Sequence, residues 1–315
     1  MGACESETEL LRRALQVPYH RLELPACDKG GVEVLLRRDD LIDPHASGNK
    51  FYKLFYNLKA AQRAGATRLV TAGGAWSNHL YALAHTARNA GFLSRALVRG
   101  ERPGKLSQTL QDAERVGMEL VFVSRDHYRS ICQQGPNDLG AGDYYIPEGG
   151  ANGAGEKGAA VLGQAIGAKL GSSRPEFVCM AVGTGGTLKG VAQALPPSIS
   201  CVGVSVLKAP AGSSAIGRAM GAGNWRLLWG FAGNGYGRAL PEPMVKFWRD
   251  FELKHQIPLD PVYTVKALYA VESLAAQGYW PRNSRIIVVH SGGLQGRRGF
   301  AAQIKWPEPT YSLCC

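Results

Sequence analysis

A lysine lies at the start of a predicted helix, in the segment Ser47-Gly48-Asn49-Lys50-Phe51-Tyr52-Lys53-Leu54. From Phe51 onward the apolar residues recur with the i, i+3, i+4, i+7 spacing of one helical face. Ser47 or Asn49 can cap the first turn, and Gly48 lets the backbone bend into it. The pattern therefore places Lys50 where the free N–H groups of a helix make the local field positive.

This position does not suit a lysine that only stabilises the helix, because cations are favoured in the last turn. Partial burial and a positive field would lower the pKa of the Lys50 amine and free it for covalent chemistry. From the local pattern alone, the alternative is a solvated surface lysine, which is the usual state of the residue.

Three glycine-rich turns each follow a predicted strand and precede a helix. They are Gly73-Gly74-Ala75-Trp76-Ser77-Asn78, Gly183-Thr184-Gly185-Gly186-Thr187 and Ser291-Gly292-Gly293. In open α/β sheets, ligands bind beyond the carboxyl ends of the strands, where such turns meet. The second turn predicts an anion site, because glycines let N–H groups converge and its two threonines add hydroxyl donors. A plain tight turn is an equally good interpretation of that pattern.

The remaining chain alternates predicted strands with predicted helices. The strands fall at residues 32–36, 68–71, 95–98, 120–123, 177–182, 201–206 and 285–289. The helices fall at residues 9–16, 50–61, 78–89, 106–116, 158–169, 188–195, 243–255 and 265–277. This alternation predicts an α/β fold with parallel sheets covered by helices on both faces. A flexible segment, Glu148-Gly149-Gly150-Ala151-Asn152-Gly153, predicts a boundary between domains.

Composition limits the class of protein. The chain has 315 residues, of which 45% are hydrophobic, enough for one large domain or two modest ones. Its net charge of +11 suits anionic ligands and also nucleic acid, but no Lys/Arg run exceeds two residues. Nucleic-acid arms usually carry denser blocks of charge, so we expect no nucleic-acid partner.

The seven cysteines are odd in number and irregular in spacing, so we expect neither a disulfide framework nor a zinc site. This cysteine pattern is best explained by a protein of the reducing cytoplasm. The histidines show no metal-ligand spacing, and His79, next to Asn78, is the one that we single out. No apolar run approaches the ~18 residues of a spanning helix, so we expect no membrane contact.

The motifs Arg37-Arg38-Asp39-Asp40, Ser47–Lys50 and Gly73–Asn78 resemble the pyridoxal-phosphate (PLP) family of D-cysteine desulfhydrase and 1-aminocyclopropane-1-carboxylate (ACC) deaminase. The likeness covers about residues 33–293. The resemblance implies a fold type II enzyme, with PLP in a cleft between two domains. The larger domain would comprise residues 1–48 and 149–315, and the smaller inserted domain residues 49–148. We also expect a homodimer.

The resemblance implies roles for the residues named above. Lys50 would form the Schiff base with PLP, and the Gly183–Thr187 turn would bind the phosphate. Lys53 would reach the same phosphate, unless it is a solvated helix lysine. Asn78 would bind the ring oxygen, and Ser77 would face the substrate carboxylate and Cα. As an alternative, one of these two residues only caps a helix.

Later in the chain, the resemblance places Tyr236 and Tyr263 near the substrate, where a phenol can hold a leaving group or shuttle a proton. The alternative interpretation of each residue is a half-buried tyrosine whose hydroxyl is paired within the fold. Thr264 stands where ACC deaminases carry a glutamate facing the ring nitrogen, whereas D-cysteine desulfhydrases resemble this chain. Ser291 is a second candidate partner for that nitrogen. Trp76 replaces a glutamine and would narrow the pocket or pack between domains.

We therefore interpret the sequence as a PLP-dependent lyase or deaminase. A neutral Thr264 favours β-elimination from D-cysteine, which gives pyruvate, ammonia and sulfide. ACC deamination and dehydration of D-serine or a related amino acid are the alternatives within the class. A non-catalytic protein that binds anions or nucleotides is the alternative from another class. The pattern does not define the stereochemistry of the substrate.

Overall fold

The computed structural model describes residues 6–171, 174–208 and 223–309. The strands in these residues are β1 (Tyr19–Leu22), β2 (Glu33–Arg37), β3 (Arg68–Gly73), β4 (Leu93–Arg99), β5 (Met118–Val123), β6 (Asp143–Ile146), β7 (Glu176–Val182), β8 (Ser200–Ser205), β9 (Trp225–Leu228) and β10 (Arg285–Val289). The helices are α1 (Glu7–Gln16), α2 (Pro25–Gly30), α3 (Asn49–Arg63), α4 (Asn78–Asn89), α5 (Gln108–Arg115), α6 (Arg125–Gln134), α7 (Gly153–Gly167), α8 (Gly186–Ala194), α9 (Glu242–His255) and α10 (Thr264–Ala276).

These strands form two sheets. The larger sheet has the order β1-β2-β10-β7-β8-β9, and the smaller has the order β5-β4-β3-β6. Every pairing is parallel except that of β1 with β2. Strand β10 is central in the larger sheet, with Ile287 beside Leu35 on one side and Val178 on the other. The predicted α/β fold with parallel sheets and flanking helices is confirmed.

The sequence analysis missed five of these elements, namely β1, β6, β9, α2 and α6. Strand β6 forms one edge of the smaller sheet and fully buries one side chain, that of Ile146. Strands β1 and β9 lie at the two edges of the larger sheet and carry few fully buried side chains. Helix α2 has six residues, and helix α6 buries only Tyr128 and Ile131. Edge strands and peripheral helices need no continuous apolar face, so hydrophobic periodicity does not reveal them.

Helix α3 is shared between two hydrophobic cores. Phe51 and Phe55 pack in the core under one face of the larger sheet, together with residues of α7 and α8. Leu54 and Leu58 pack in the core of the smaller sheet. The four strands of the smaller sheet all lie between residues 68 and 146. The division into domains at residues 49 and 148 stays a prediction, because α3 belongs to both cores.

Candidate functional site

The three glycine-rich turns follow the carboxyl ends of β3, β7 and β10, and two of these strands are neighbours in the larger sheet. Helix α3 begins against one of these turns. Gly48 precedes its first residue with φ 64°, and a Cβ there would lie 1.9 Å from the carbonyl oxygen of Ser291. Only glycine fits that backbone conformation and that space. The start of α3 is therefore held directly against the turn after β10.

The expected caps of α3 are wrong. No side chain caps the helix, and Asn49 is already its first helical residue. Asn49 Nδ2 instead donates to Thr187 Oγ1 at 2.8 Å, and Ser47 Oγ accepts from the backbone N–H of Gly293 at 3.4 Å. Both polar side chains thus connect α3 to the other glycine-rich turns, which the local sequence pattern could not reveal.

Lys50 lies in the first turn of α3, as predicted. Loss of hydration lowers the pKa of its amine to about 8, while the Glu148 carboxylate opposes that shift. A substantial fraction of the amine is therefore neutral near pH 8, as covalent chemistry requires. Its covalent role stays a prediction.

Lys53 is not a solvated lysine, because only 1% of the residue is exposed. Burial, and next the charge of Lys50, hold the pKa of Lys53 well below its ordinary value. A Cβ on Gly186 would lie 3.3 Å from Lys53 Nζ, so the amine lies against the Gly183–Thr187 turn. A bound anion in that turn would compensate for the burial of this amine.

The Gly183–Thr187 turn connects β7 to α8 and has the geometry of an anion site. Gly185 precedes the first residue of α8 with φ 90°, so the first N–H groups of the helix follow a left-handed turn. Thr184 is exposed and lies 3.5 Å from the Cβ position of Gly149. The helix start and the threonine hydroxyls supply donors to a phosphate group.

Ser77 and Asn78 lie at the start of α4. Ser77 Oγ caps this helix by accepting from the backbone N–H of Leu80 at 3.3 Å. Asn78 Oδ1 accepts from Gln295 Nε2, and a Cβ on Gly293 would lie 2.0 Å from Asn78 Nδ2. The turns after β3 and β10 are therefore in contact. The cap explains Ser77 locally, whereas Asn78 faces across the site.

Trp76 precedes these residues and is 40% exposed. A Cβ on Gly299 would lie 3.1 Å from its ring. The indole therefore packs against the segment that follows the Ser291–Gly293 turn. This agrees with the interpretation that Trp76 has a packing role.

Tyr236 and Tyr263 form a pair. Their hydroxyls lie 3.0 Å apart, and their rings meet edge to face at 74°. Tyr263 Cε1 lies 3.5 Å from the Cβ position of Gly183, so the pair adjoins the predicted phosphate turn. Burial raises the pKa of both phenols. Both hydroxyls therefore stay protonated at neutral pH and can donate a proton or a hydrogen bond.

Two charged residues that the sequence analysis did not select hold this pair. Asp260 accepts from the backbone N–H of Tyr263 at 2.7 Å and from that of Val262 at 3.3 Å. Lys266 Nζ donates to the Gly235 carbonyl at 3.0 Å, next to Tyr236. Burial raises the pKa of Asp260 to about 7 and lowers that of Lys266 to about 8. The Asp-Pro-Val-Tyr spacing is the available signal, because aspartate commonly binds backbone N–H groups just after it.

Glu148 is a third residue that the sequence analysis missed. The Glu148 carboxylate raises the pKa of Lys50, Tyr236 and Tyr263, although burial is the main influence on all three. Its position in a glycine-rich segment suggested only a boundary between domains.

His79, which the sequence analysis singled out, is buried near the two lysines. Its Nε2 atom shares a 3.0 Å hydrogen bond with the Thr71 hydroxyl, and burial keeps the pKa of its imidazole well below the ordinary value. His79 is thus a neutral, buried residue beside the two lysines.

Thr264, the first residue of α10, is 0% exposed. Its hydroxyl has no hydrogen-bond partner among the described residues. Leaving a buried hydroxyl unpaired costs on the order of 1–3 kcal/mol. Tyr263, the residue before Thr264, already lies at the site. A ligand atom bound at the site would therefore supply the missing hydrogen bond to the Thr264 hydroxyl. Ser291 lies against the start of α3, where its carbonyl oxygen is 1.9 Å from the Cβ position of Gly48.

Residues 12–292 match the family described as pyridoxal-phosphate-dependent enzymes. This is most of the chain. The chain belongs to that family. The predicted cofactor, PLP, and the prediction of an enzyme are thereby confirmed.

Curated relatives of this chain point to one group of enzymes within this family. A Thermotoga maritima protein provisionally named ACC deaminase is 30% identical over 294 residues, which cover 85% of this chain and 91% of that protein. A mitochondrial Arabidopsis thaliana protein named bifunctional D-cysteine desulfhydrase/ACC deaminase is 26% identical and covers 90% of this chain and 77% of that protein. The resemblance to the D-cysteine desulfhydrase and ACC deaminase family is confirmed.

A solved structure titled as an ACC deaminase homologue has a TM-score of 0.72 and 25% identity, covering 93% of this chain and 97% of that one. A solved O-ureido-L-serine synthase variant has a TM-score of 0.67 at 15% identity, covers 92% of each chain and shows the shared fold alone. The predicted fold type II is confirmed.

The described residues fit PLP. The Gly183–Thr187 turn and the buried Lys53 would hold the phosphate, and Lys50 carries an amine of lowered pKa. The unpaired hydroxyl of Thr264 offers a polar partner inside the same site. The buried amine of Lys53 and the unpaired hydroxyl of Thr264 are costly without a polar partner, and bound PLP would offer partners to both.

Metal-binding clusters and membrane-spanning helices are both absent from the described residues. No group of three His, Cys, Asp or Glu residues in ranges 6–171, 174–208 and 223–309 could hold a metal ion. Within the same ranges, no helix has both the length and the apolar character to cross a membrane. Cys4, Cys314 and Cys315 lie outside the described residues, and the cysteines within them are free.

Proposed function

We propose that this PLP-dependent enzyme carries out an α,β-elimination of the D-cysteine desulfhydrase kind, releasing pyruvate, ammonia and sulfide. The observation that carries this proposal is Thr264, a neutral residue with a buried, unpaired hydroxyl beside Tyr263. Bound PLP supplies an electron-withdrawing ring, whose strength depends on the partner of its nitrogen. A hydroxyl keeps that nitrogen less protonated than a carboxylate would. Reactions in which a leaving group promptly takes up the electrons are then favoured.

The lysines have separate tasks in this proposal. Lys50 holds the cofactor and, when its amine is free, removes the proton from the substrate Cα. Its lowered pKa keeps a usable fraction of the amine neutral near pH 8. Lys53 remains at the Gly183–Thr187 turn as a partner of the phosphate, and the Asn49–Thr187 hydrogen bond keeps α3 aligned with that turn.

The polar residues around the lysines orient the substrate. Ser77 and the start of α4 receive the α-carboxylate, because free N–H groups there favour an anion. Asn78 binds the ring oxygen of the cofactor. Tyr263 and Tyr236 attend the leaving group, since both phenols stay protonated and their hydroxyls share a hydrogen bond.

ACC deamination is the second candidate, favoured by the names of the Thermotoga and Arabidopsis relatives. The test compares D-cysteine, L-cysteine, D-serine, β-chloro-D-alanine and ACC with the purified, PLP-loaded enzyme. We expect pyruvate with sulfide from D-cysteine and little 2-oxobutanoate from ACC. Faster ring opening of ACC than sulfide release from D-cysteine would overturn the proposal. Turnover of D-serine in preference to both would favour the dehydratase alternative.

Assembly and location also remain proposals. We propose a cytoplasmic homodimer with a small amino acid as substrate and no nucleic-acid partner. The described cysteines Cys27, Cys132, Cys179 and Cys201 are free, which supports a reducing compartment. Light scattering of the purified enzyme would test the dimer, and a mass of one chain would contradict it.

A further inference from the structure

A cleft lined mainly by arginines adjoins the site. Its lining residues, here called the arginine cleft, are Arg99, Arg125, Tyr128, Arg129, Cys132 and Arg238. Arg99 ends β4, and the next four residues lie on α6. Arg238 follows Tyr236 by two residues and thus comes from the segment that carries the tyrosine pair. Two distant parts of the chain therefore supply the positive charge.

The arginine cleft is continuous with the site. Cys132 Sγ lies 3.6 Å from Glu148 Oε2, and Glu148 acts electrostatically on Lys50. Arg99 acts on the ionisation of Tyr236, and Arg99 Nη2 lies 3.7 Å from the Cβ position of Gly74 in the turn before α4. A substrate held at Lys50 and Ser77 would thus have the arginine cleft on the side of Tyr236.

The charges of the cleft are not balanced. Only Arg129 has an ion pair with a described carboxylate, Asp126 at 3.0 Å. Four guanidinium groups therefore face two carboxylates, Asp126 and Glu148, which leaves an excess of two positive charges. Arg99 is also oriented by the Tyr128 ring, whose centroid lies 5.6 Å from its guanidinium carbon. The four arginines are exposed, and a planar guanidinium such as that of Arg99, which is oriented and is paired with no described carboxylate, suits a bidentate anion.

We propose that the arginine cleft binds a second anionic group of the substrate. The preferred substrate would then be an amino acid whose β-substituent carries a carboxylate, sulfonate or phosphate. This inference rests on the proposed function for the position of the amino acid at Lys50. In the reaction, Lys50 takes the Cα proton, the Cα–H electron pair forms the Cα=Cβ bond, and the substituent leaves with the Cβ bonding pair as an anion. Water then converts the enamine product to pyruvate and ammonium.

Binding tests the proposal without turnover. The PLP-loaded enzyme is titrated calorimetrically with 2-amino-3-phosphonopropanoate, whose C–P bond supplies no leaving group, and with neutral 2-aminobutanoate. We expect the phosphonate to bind at least about tenfold more tightly, a difference of ~1.4 kcal/mol. The Arg99→Gln/Arg238→Gln double variant should lose most of that preference, expressed as the ratio of the two Kd values. Added salt should also reduce it.

Arg21→Gln is the control for lost surface charge, because it removes one positive charge, against two in the double variant, from an exposed residue of β1 that does not line the cleft. This variant should keep the preference. The proposal is overturned if the wild-type enzyme shows no preference, or if Arg21→Gln lowers it as much as the double variant does. Equal weakening of both ligands in the double variant would also overturn it, because the arginines would then hold the shared α-carboxylate.

Turnover separates the three kinds of anion. The kcat/KM values of O-phosphoserine, cysteic acid and S-carboxymethylcysteine are compared with that of β-chloroalanine, using both stereoisomers of each. We expect at least one anionic substrate to exceed β-chloroalanine by tenfold, with the advantage lost in the double variant. A preserved binding preference without pyruvate from any substrate would leave the cleft assignment standing and remove the proposed reaction.

Discussion

The Tyr236 hydroxyl lies 3.0 Å from the Tyr263 hydroxyl, so one phenol donates a hydrogen bond to the other. Tyr236 is 45% exposed, whereas Tyr263 is half-buried against the Gly183 turn. The pair therefore connects solvent with the interior of the site. A proton delivered to a leaving group by Tyr263 can be replaced through Tyr236, without water entering beside the cofactor.

This relationship predicts unequal effects of removing the two hydroxyls. Tyr263→Phe should lower kcat about a hundredfold, the lower end of the range for a lost general acid. Tyr236→Phe should have a smaller effect. Tyr269→Phe is the control, because this tyrosine of α10 packs against Phe247 instead of the site. Equal kcat values for Tyr263→Phe and the unmodified enzyme would contradict the assignment.

Lys50→Ala should abolish turnover and the absorbance band of covalently bound cofactor while the protein stays folded. Borohydride reduction followed by peptide mapping should place the cofactor on the peptide that contains Lys50. Circular dichroism is the control for folding. Cofactor attached to Lys53 or to another lysine would show that the assignment is wrong.

The lowered pKa of Lys50 gives a pH dependence. Only the neutral amine attacks the cofactor aldehyde, so attachment to cofactor-free protein should speed up as pH rises and level off above pH 8. An ordinary lysine, with a pKa near 10.4, would still be gaining rate up to about pH 10. Stopped-flow absorbance measures the midpoint. A midpoint near the ordinary value would contradict the lowered pKa.

The phosphate assignment of the Gly183–Thr187 turn can be separated from backbone strain. Gly185→Asp adds both a side chain at φ 90° and a negative charge, whereas Gly185→Asn adds a similar side chain without charge. We expect Gly185→Asp to weaken PLP binding at least about tenfold more than Gly185→Asn does, a difference of ~1.4 kcal/mol. Equal losses in the two folded variants would assign the effect to strain alone.

The Thr264 hydroxyl should matter for the cofactor and little for the protein alone. Thr264→Val should leave the free energy of unfolding of cofactor-free protein within about 1 kcal/mol, or raise it, because the hydroxyl is unpaired there. The same change should alter the absorbance of bound PLP, whereas Thr264→Ser should preserve it. Thr264→Glu should shift the spectrum toward the form with a protonated ring nitrogen. An unchanged spectrum in Thr264→Val would transfer the role to Ser291.

Local patterns predicted the elements that carry the central part of the site. Ser77 caps α4 and the apolar residues recur along it, so the predicted helix 78–89 has the observed bounds. Strands β7 and β10 consist mostly of buried apolar residues, so their composition alone predicts where they lie in the chain. By contrast, the pairing of Asn49 with Thr187 joins two turns that are distant in the chain. No local pattern contains that information, because it depends on the order of strands in the sheet.

The arginine cleft was hidden for a related reason. Arg99 and Arg238 are scattered surface residues in the sequence, and only the fold brings them to one place. Helix α6, which supplies two more of its arginines, has too few buried residues to be recognised. Lys266 was missed because it occupies the buried face of an apolar helix, where its only signal is that a charge interrupts the pattern.

Helix α3 has a consequence for how the protein loses its structure. Its residues Phe51 and Leu54 pack in different hydrophobic cores, so neither core can melt without exposing apolar surface in the other. The two sheets should therefore unfold in one cooperative transition, although each has a core of its own. Lys50 lies in the first turn of this shared helix. The cofactor would therefore leave in the same step in which the fold is lost. Stability and catalytic competence in this enzyme should accordingly fail at one temperature.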